Sequence, residues 1–208
     1  KQDREASGYD WNKIFDSINI IKEELKAHFP YKVIDVHGAE ADDIIAVLAA
    51  RLSANDEVLI LSSDKDFGQL QKYDRVSQYS PMLERFVKIE DPFTFTKEHV
   101  IRGDRSDGIP NLLSPDDTFV KGERQKSLNS KRLTEWLSQD VEKFCTNDDM
   151  LKNYKRNSTL IDFDNIPDDI SSAIIEAYDA CKVATKAQML NYLVEKGLVV
   201  MIDNITDF

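Results

Sequence analysis

The sequence has few cysteines, few glycines and no long apolar run, and each shortage excludes a class of protein. Cys145 and Cys181 are the only cysteines among 208 residues, and they stand far apart without the Cys/His spacing of a zinc site. A disulfide scaffold and a structural zinc site are therefore excluded, and a reducing, cytoplasmic setting is expected. No window approaches eighteen apolar residues, so no membrane span is expected. No glycine-rich nucleotide loop is present either.

The remaining composition is that of a globular protein. Apolar residues make up 41% of the chain, and it contains seven glycines and six prolines. These values exclude a collagen-like or wholly disordered chain. The length suits one large domain or two small ones with a hydrophobic core.

The net charge of −11 argues at first against a nucleic-acid-binding protein, but the charge is unevenly distributed. Residues 117–133 carry five basic and two acidic side chains, although acidic residues outnumber basic ones by 38 to 27 in the whole chain. The basic residues of this stretch are Lys121, Arg124, Lys126, Lys131 and Arg132. Such a stripe can hold a phosphate backbone. A solvated loop and helix face with no binding role would show the same pattern of basic residues.

Hydrophobic periodicity predicts an α/β fold with a central, mostly parallel sheet flanked by helices, followed by a mainly helical domain. The expected boundary separates residues 1–107 from residues 108–208. Residues 58–61 form a continuous apolar run, which predicts a strand covered on both faces. The other predicted strands are 31–36, 76–79 and 85–89, and the predicted helices are 11–28, 39–52, 96–102, 131–144, 168–184 and 186–196.

Acidic residues stand at the ends of three predicted elements. They are Glu40, Asp42 and Asp43 at the start of a helix, Asp64 and Asp66 after the apolar strand, and Asp104 and Asp107 in a turn. The first two groups each follow a predicted strand of the sheet, and ligands bind beyond the carboxyl ends of such strands. Converging carboxylates repel one another unless cations such as Mg²⁺ relieve the repulsion. A pair of such ions indicates phosphodiester chemistry.

Each acidic group also has a purely structural interpretation. Acidic residues in a first helical turn are favoured by the helix dipole, and aspartates commonly cap helices and form turns. The spacing from Asp64 or from Asp162 does not complete a calcium loop. No nucleophilic triad is supported, and His28, His37 and His99 are expected to be structural. A phosphatase using Asp64 and Asp66 is disfavoured because Phe67 and Gly68 follow them.

Three motifs stand in order along the chain: EADDIIAVL at 40–48, ILSSDKDFGQL at 60–70 and GDRSDGIP at 103–110. Together they resemble the flap endonuclease superfamily of 5′ nucleases, and within it the ribonuclease H branch of T-even-type bacteriophages. Shorter matches are YSPM at 79–82, VKGER at 120–124 and LIDFDNIP at 160–167. The resemblance extends over nearly the whole chain.

The resemblance implies a two-metal site. Glu40 and Asp42 match the helix-borne ligands, with Asp43 beside them. Asp64 and Asp66 match the strand-end pair, and Asp104 and Asp107 match a last pair that acts directly or through waters. Glu40, Asp42, Asp64, Asp66 and Asp107 are the expected catalytic residues. Two Mg²⁺ ions, with Mn²⁺ as a substitute, would support hydrolysis of a phosphodiester near a 5′ end.

The resemblance also implies partners. Residues 103–132 match a helix–turn–helix module that holds RNA–DNA and DNA duplexes with 5′ ends or flaps, with the basic stripe as the grip. The glycine-rich hairpin that often binds K⁺ in the family is replaced here by residues 111–117, which weakens the case for K⁺. Primer removal in an infected bacterial cell, a monomeric state and contact with a single-stranded DNA-binding protein are further expectations.

The family's first strands, two of their aspartate ligands and a basic arch are not found in this sequence. Residues 1–10 resemble the end of that arch. Weaker metal binding is expected because two aspartate ligands of the family are not found here. A non-catalytic fragment that binds duplex DNA is therefore the alternative to a nuclease. Cleavage that depends on a divalent ion would distinguish the two.

Overall fold

The computed structural model describes residues 8–207, so most of the segment expected to end the arch lies outside the described residues. The chain divides into two compact units, one formed by Lys1–Asp35 with Ile175–Phe208 and the other by Val36–Ile174. The expected domain boundary near residue 107 lies inside the second unit and stays a prediction. Within the described part of the chain, no helix is long and apolar enough to cross a membrane.

The fold is a mixed α/β arrangement with a small sheet and a helical C-terminal part, as predicted. The strands are β1 Val58–Leu61, β2 Val76–Ser80 and β3 Arg85–Val87. The α-helices are α1 Trp11–His28, α2 Ala41–Leu52, α3 Pro92–Arg102, α4 Ser130–Leu137, α5 Val141–Phe144, α6 Asp148–Ile161, α7 Asp168–Ala180, α8 Lys186–Glu195 and α9 Val199–Asp203. Short 3₁₀ helices cover Lys65–Lys72, Phe163–Asn165 and Ile205–Asp207.

The sheet has the order β1-β2-β3 among the described residues. β1 and β2 are parallel, with Val58 opposite Val76 and Leu61 opposite Tyr79. β2 and β3 form an antiparallel pair. The sheet is thus mixed, and the parallel pair brings the loop after β1 beside the end of β2.

The predicted strand over residues 31–36 is wrong, since the structure assigns no strand there. A strand requires a neighbouring strand that accepts and donates backbone hydrogen bonds. The Val36 carbonyl instead accepts a hydrogen bond from the Ala39 N–H, which closes a turn ahead of α2. Glu40, Asp42 and Asp43 therefore follow a turn rather than a sheet strand.

The prediction that both faces of β1 are covered is also wrong. Ile60 is 6% exposed, whereas Leu59 and Leu61 on the opposite face are 51% and 69% exposed. The Ile60 side chain packs in a core with Ala46 and Ala49 of α2 and with Phe67. Helices therefore cover only one face of the strand within the described residues.

Helix α6 is the largest element that periodicity missed. Its buried positions are Met150, Asn153, Asn157 and Ile161, which repeat at helical spacing. Two of these four are asparagine, so the apolar pattern is interrupted. The start signal was nevertheless present, because Asn147 caps the helix and Asp148 follows it. The predicted helix over 131–144 is in turn divided into α4 and α5.

The first unit has its own small core. Phe29 packs with Met189, Tyr192 and Leu193, and side chains of α9 surround them. Lys32 donates hydrogen bonds to the carbonyl oxygens of Tyr178, at 2.5 Å, and Cys181, at 3.1 Å. The candidate site described next belongs entirely to the second unit.

Candidate metal centre

The N-terminus of α2 carries the first group of carboxylates. Glu40 precedes the helix in an extended conformation, and Asp42 and Asp43 lie in its first turn. The Asp43 carboxylate accepts a hydrogen bond from the Glu40 N–H at 2.9 Å. The cap accounts for the position of Asp43 in structural terms. The helix cap does not account for the position of the Asp42 carboxylate.

The second group follows β1, where the chain enters the 3₁₀ helix of residues 65–72. Asp64 caps this helix by accepting a hydrogen bond from the Asp66 N–H at 3.0 Å. The buried amide of Gln78 on β2 donates to the carbonyl oxygens of Ser62, at 2.9 Å, and Asp64, at 2.6 Å. The sheet therefore sets the path of the loop that carries both aspartates.

The third group lies in a tight turn after α3. The Ile109 N–H donates to the Asp104 carbonyl oxygen at 2.6 Å and closes the turn. Gly103 starts it with φ +66°, and a Cβ there would lie 2.4 Å from the Ile109 carbonyl oxygen. Glycine is therefore required at this position. The turn leaves Asp107 exposed and buries Asp104.

The three groups converge on one cleft with a volume of about 670 Å³. Its acidic lining residues are Glu40, Asp42, Asp43, Asp66 and Asp107, together with Asp162 from the end of α6. Burial raises the pKa of Asp42, and the nearby charges of Asp64 and other carboxylates add to the effect. The Asp64 carboxylate therefore interacts electrostatically with Asp42 and belongs to the same group of carboxylates.

Asp66 has the most strongly perturbed carboxyl group of the cleft. Burial, reinforced by Asp64 and Asp104, raises its pKa to about 6 although His99 opposes the shift. Its buried Oδ1 has no hydrogen-bond partner among the described residues and lies 3.3 Å from His99 Nδ1. Negative charge at this cleft is therefore incompletely compensated by the protein.

Asp104 lies beside the cleft in a different environment. Its Oδ2 accepts hydrogen bonds from Lys65 Nζ and, at 3.0 Å, from His99 Nε2. Its Oδ1 accepts from the Ser106 hydroxyl and, at 2.8 Å, from the Ser106 N–H. Burial alone would raise the pKa of Asp104, but these hydrogen bonds outweigh it and hold the pKa well below its usual range.

The residues present fit a divalent cation. Carboxylate oxygens are the ligands that Mg²⁺ prefers. The pKa values of Asp42 and Asp66 are raised first by burial and then by neighbouring carboxylates, whose repulsion a bound cation would relieve. The grouping of Asp66, His99 and Asp104 also has the spacing of a metal-binding set. Sequence reasoning missed three contributors: Lys65, Gln78 and the contact of His99 with two aspartates.

All five basic residues of the stripe at 121–132 are exposed. They are Lys121, Arg124, Lys126, Lys131 and Arg132. Lys121 forms an ion pair with Asp117 at 2.7 Å, and Arg132 lies over the Trp136 ring at 5.6 Å. The stripe therefore presents positive charge to solvent, and the ion pair with Asp117 neutralises part of that charge.

Buried polar side chains hold the turns that precede the stripe. Asn111 donates from Nδ2 to the Lys126 carbonyl oxygen at 2.8 Å, and the Lys126 N–H donates to Ser114 Oγ at 2.9 Å. From α6, Asn153 Nδ2 donates to the Leu112 and Ser114 carbonyl oxygens at 3.0 and 3.1 Å. These hydrogen bonds fix the backbone at Lys126.

Carbonyl oxygens of the segment that replaces the family hairpin are already engaged. Within it, Asn153 Nδ2 donates to the Leu112 and Ser114 carbonyl oxygens, and just before it Asn157 Nδ2 donates to the Pro110 carbonyl oxygen at 2.9 Å. A K⁺ ion would need several such oxygens directed at one point. The hydrogen bonds from Asn153 and Asn157 hold this turn without an ion.

Comparisons with known proteins agree with this geometry. The family described as "5'-3' exonuclease, N-terminal resolvase-like domain" matches residues 1–102, and "T4 RNase H, C terminal" matches residues 94–208. The chain is 38% identical to ribonuclease H of Enterobacteria phage T4 over 215 residues, covering 99% of this chain and 70% of that protein.

Solved structures show the same fold at low sequence identity. The T5 D15 protein co-crystallised with metal ions matches with a TM-score of 0.58 and 19% identity, covering 86% of this chain and 72% of that one. A bacteriophage T5 D15 flap endonuclease in a pseudo-enzyme-product complex with DNA and metal ions gives 0.55 and 18%, covering 86% and 75%.

Proposed function

The chain belongs to the family of 5′–3′ exonucleases that includes phage T4 ribonuclease H, and we propose that it is a Mg²⁺-dependent 5′ nuclease. Its substrates would be RNA–DNA and DNA duplexes with 5′ ends or flaps. The task would be removal of RNA primers and adjoining DNA in the cytoplasm of an infected bacterial cell. The observation that carries the proposal is the convergence of the acidic groups on one cleft.

The proposed metal ligands are the carboxylates that face the cleft. Asp42, Asp64, Asp66 and Asp107 are the central candidates, with Glu40 and Asp43 at the helix start and Asp104 beside them. Two ions bound there would activate water and stabilise the attacking and leaving oxygens of an in-line displacement. Mn²⁺ would substitute for Mg²⁺, because both accept oxygen ligands.

The proposed reaction is phosphodiester hydrolysis. The oxygen of water forms a bond to phosphorus, the bond from phosphorus to the 3′ oxygen breaks, and the proton passes to that oxygen. The products are a 3′-hydroxyl and a 5′-phosphate. In the protein, the turn at Gly103 and the cap at Asp64 hold the carboxylates in place, so little reorganisation is required during the reaction.

The basic stripe would hold the duplex by its phosphates. Contacts of this type are independent of base sequence and weaken with salt. Asn111 and Ser114 support this role because they fix the backbone of Lys126. We expect the chain to act as a monomer, and we expect contact with a single-stranded DNA-binding protein by analogy with the phage branch.

The test is cleavage of a 5′-labelled RNA–DNA duplex in Mg²⁺ and in EDTA, with Asp64→Asn as the variant and Asp56→Asn in an exposed loop as the matched control. Short labelled products are expected only with Mg²⁺, and only from the wild type and the control. Cleavage that persists in EDTA or in Asp64→Asn would refute the metal site. Salt-sensitive duplex binding without cleavage in Mg²⁺ or Mn²⁺ would favour the non-catalytic alternative.

A further inference from the structure

A lysine stands between the two aspartates at the end of β1, within an otherwise acidic cleft. The Lys65 side chain is 57% exposed, yet its Nζ reaches the Asp104 carboxylate, which is 3% exposed. Burial opposes the charged form of Lys65, but the hydrogen bond to Asp104 and the negative charges around it together outweigh burial and raise the pKa of the lysine. Lys65 is therefore a cation directed into the cluster rather than into solvent.

The hydrogen bonds of Asp104 leave it little capacity to bind a metal ion. A carboxylate has about four lone-pair positions. Asp104 receives two donors on Oδ1, both from Ser106, and two on Oδ2, from Lys65 and His99. An ion could bind Asp104 only after one donor has moved.

Of these donors, Lys65 is the one that can move at low cost. Both Ser106 contacts are made within the turn that carries Asp104, and one of them comes from the backbone. His99 is buried in α3 and is packed against Phe95. Lys65 is long and half-exposed, so its head group can leave without disturbing the core.

We propose that Lys65 is a built-in cation of the acidic cleft, which holds Asp104 out of the metal-ligand set and competes with divalent ions for it. The inference rests on the proposed function and refines it. Asp42, Asp64, Asp66 and Asp107 remain to bind the ions, whereas Asp104 is a positioning residue. The chain can thus fold with part of the cluster neutralised before any ion binds.

The test is calorimetric titration with Mn²⁺ of the wild type, Lys65→Met, Asp104→Asn and the double variant. Lys65→Met is expected to bind Mn²⁺ roughly threefold to tenfold more tightly, since Asp104 is released to face the ion. This gain should be absent from the Asp104→Asn background. Lys65→Arg should retain the wild-type affinity. Lys143→Met, which removes an exposed ion pair with Asp140, is the control.

Thermal unfolding in EDTA provides a second readout. Lys65→Met should lower the Tm in EDTA and regain more of it than the wild type when Mn²⁺ is added, because the ion then replaces the ammonium. A lysine with a merely structural role would lower the Tm without tightening ion binding.

Unchanged or weaker Mn²⁺ binding by Lys65→Met would overturn the proposal. An equal gain in both backgrounds would overturn it as well, because the lysine would then act through space and not through Asp104. Failure of the proposed function would look different. In that case the wild type would bind no Mn²⁺, or Asp42→Asn would bind it as well as the wild type.

Discussion

The side-chain amide of Gln78 lies 2.6 Å from the backbone carbonyl oxygen of Asp64 and donates a hydrogen bond to it. Gln78 is 1% exposed and belongs to β2, whereas Asp64 ends the loop between β1 and the following 3₁₀ helix. The same amide donates to the Ser62 carbonyl oxygen. One buried side chain therefore ties the acidic loop to the neighbouring parallel strand, which couples sheet pairing to the geometry of the candidate metal centre.

We expect Gln78→Met to destabilise the chain by about 1–3 kcal/mol, because the carbonyl oxygens of Ser62 and Asp64 would lose a buried donor. Denaturant unfolding measures this loss. The change should also weaken Mn²⁺ binding, since the loop at Asp64 is no longer held. Ser77→Ala, at an exposed position on the same strand, is the control. An unfolding midpoint equal to that of the wild type would show that the loop is held by other contacts.

In EDTA, the contribution of Asp66 to stability should fall as the pH rises. Burial raises its pKa from the ordinary 3.8 to about 6 in the folded chain. The folded state therefore binds more protons than the unfolded state between these values, and stability decreases with rising pH there. Below 3.8 the penalty is absent, and above about 6 it is complete.

Asp66→Asn removes this dependence. Its free energy of unfolding should exceed that of the wild type by on the order of 2 kcal/mol at pH 7.5, and the gap should close towards pH 4. Asp74→Asn, at an exposed position, is the matched control. A difference in unfolding free energy that does not change with pH would contradict the raised pKa of Asp66. Added Mg²⁺ should stabilise the wild type and make it more stable than Asp66→Asn.

Much of the fold could be predicted because its elements have clean local signals. The helix α1 and the strands β2 and β3 match the periodicity closely. The strand over residues 31–36 could not be excluded from the sequence, because strand formation depends on a partner that local pattern does not reveal. Helix α6 was missed for a related reason, since Asn153 and Asn157 are buried as hydrogen-bond donors and not as apolar residues.

The acidic side chains of the site could be predicted because carboxylates at element ends are visible in the sequence. The different roles of these side chains could not be predicted. Asp43 caps a helix, Asp104 is saturated by donors, and Asp66 has a buried oxygen without a donor. These differences arise from residues such as Lys65 and His99, whose roles depend on tertiary contacts.

We expect duplex binding to be indifferent to the identity of the monovalent cation. Asn153 and Asn157 already donate to carbonyl oxygens of the turn at 110–114, so K⁺ is not needed to hold it. Fluorescence anisotropy with a labelled duplex should give equal affinities in KCl and in tetramethylammonium chloride at one ionic strength.

The variant Asn153→Leu supplies the complementary experiment. It removes the donor to the Leu112 and Ser114 carbonyl oxygens and should lower both the Tm and duplex affinity. Several-fold tighter binding by the wild type in K⁺ would show that the turn does hold an ion. If tetramethylammonium restored the duplex affinity of Asn153→Leu as well as K⁺ did, a general salt effect would be indicated instead.

The last prediction concerns the salt dependence of duplex binding. Replacing Arg124 and Lys126 together by alanine should weaken binding to every duplex sequence alike, because phosphate contacts carry no base information. The slope of log affinity against log salt should become shallower by about two, since each phosphate contact contributes about 0.9 to it. Lys186→Ala in the other unit is the control and should leave the slope unchanged. An unchanged slope in the double variant would place the duplex elsewhere on the surface, whereas a loss confined to one sequence would indicate base contacts.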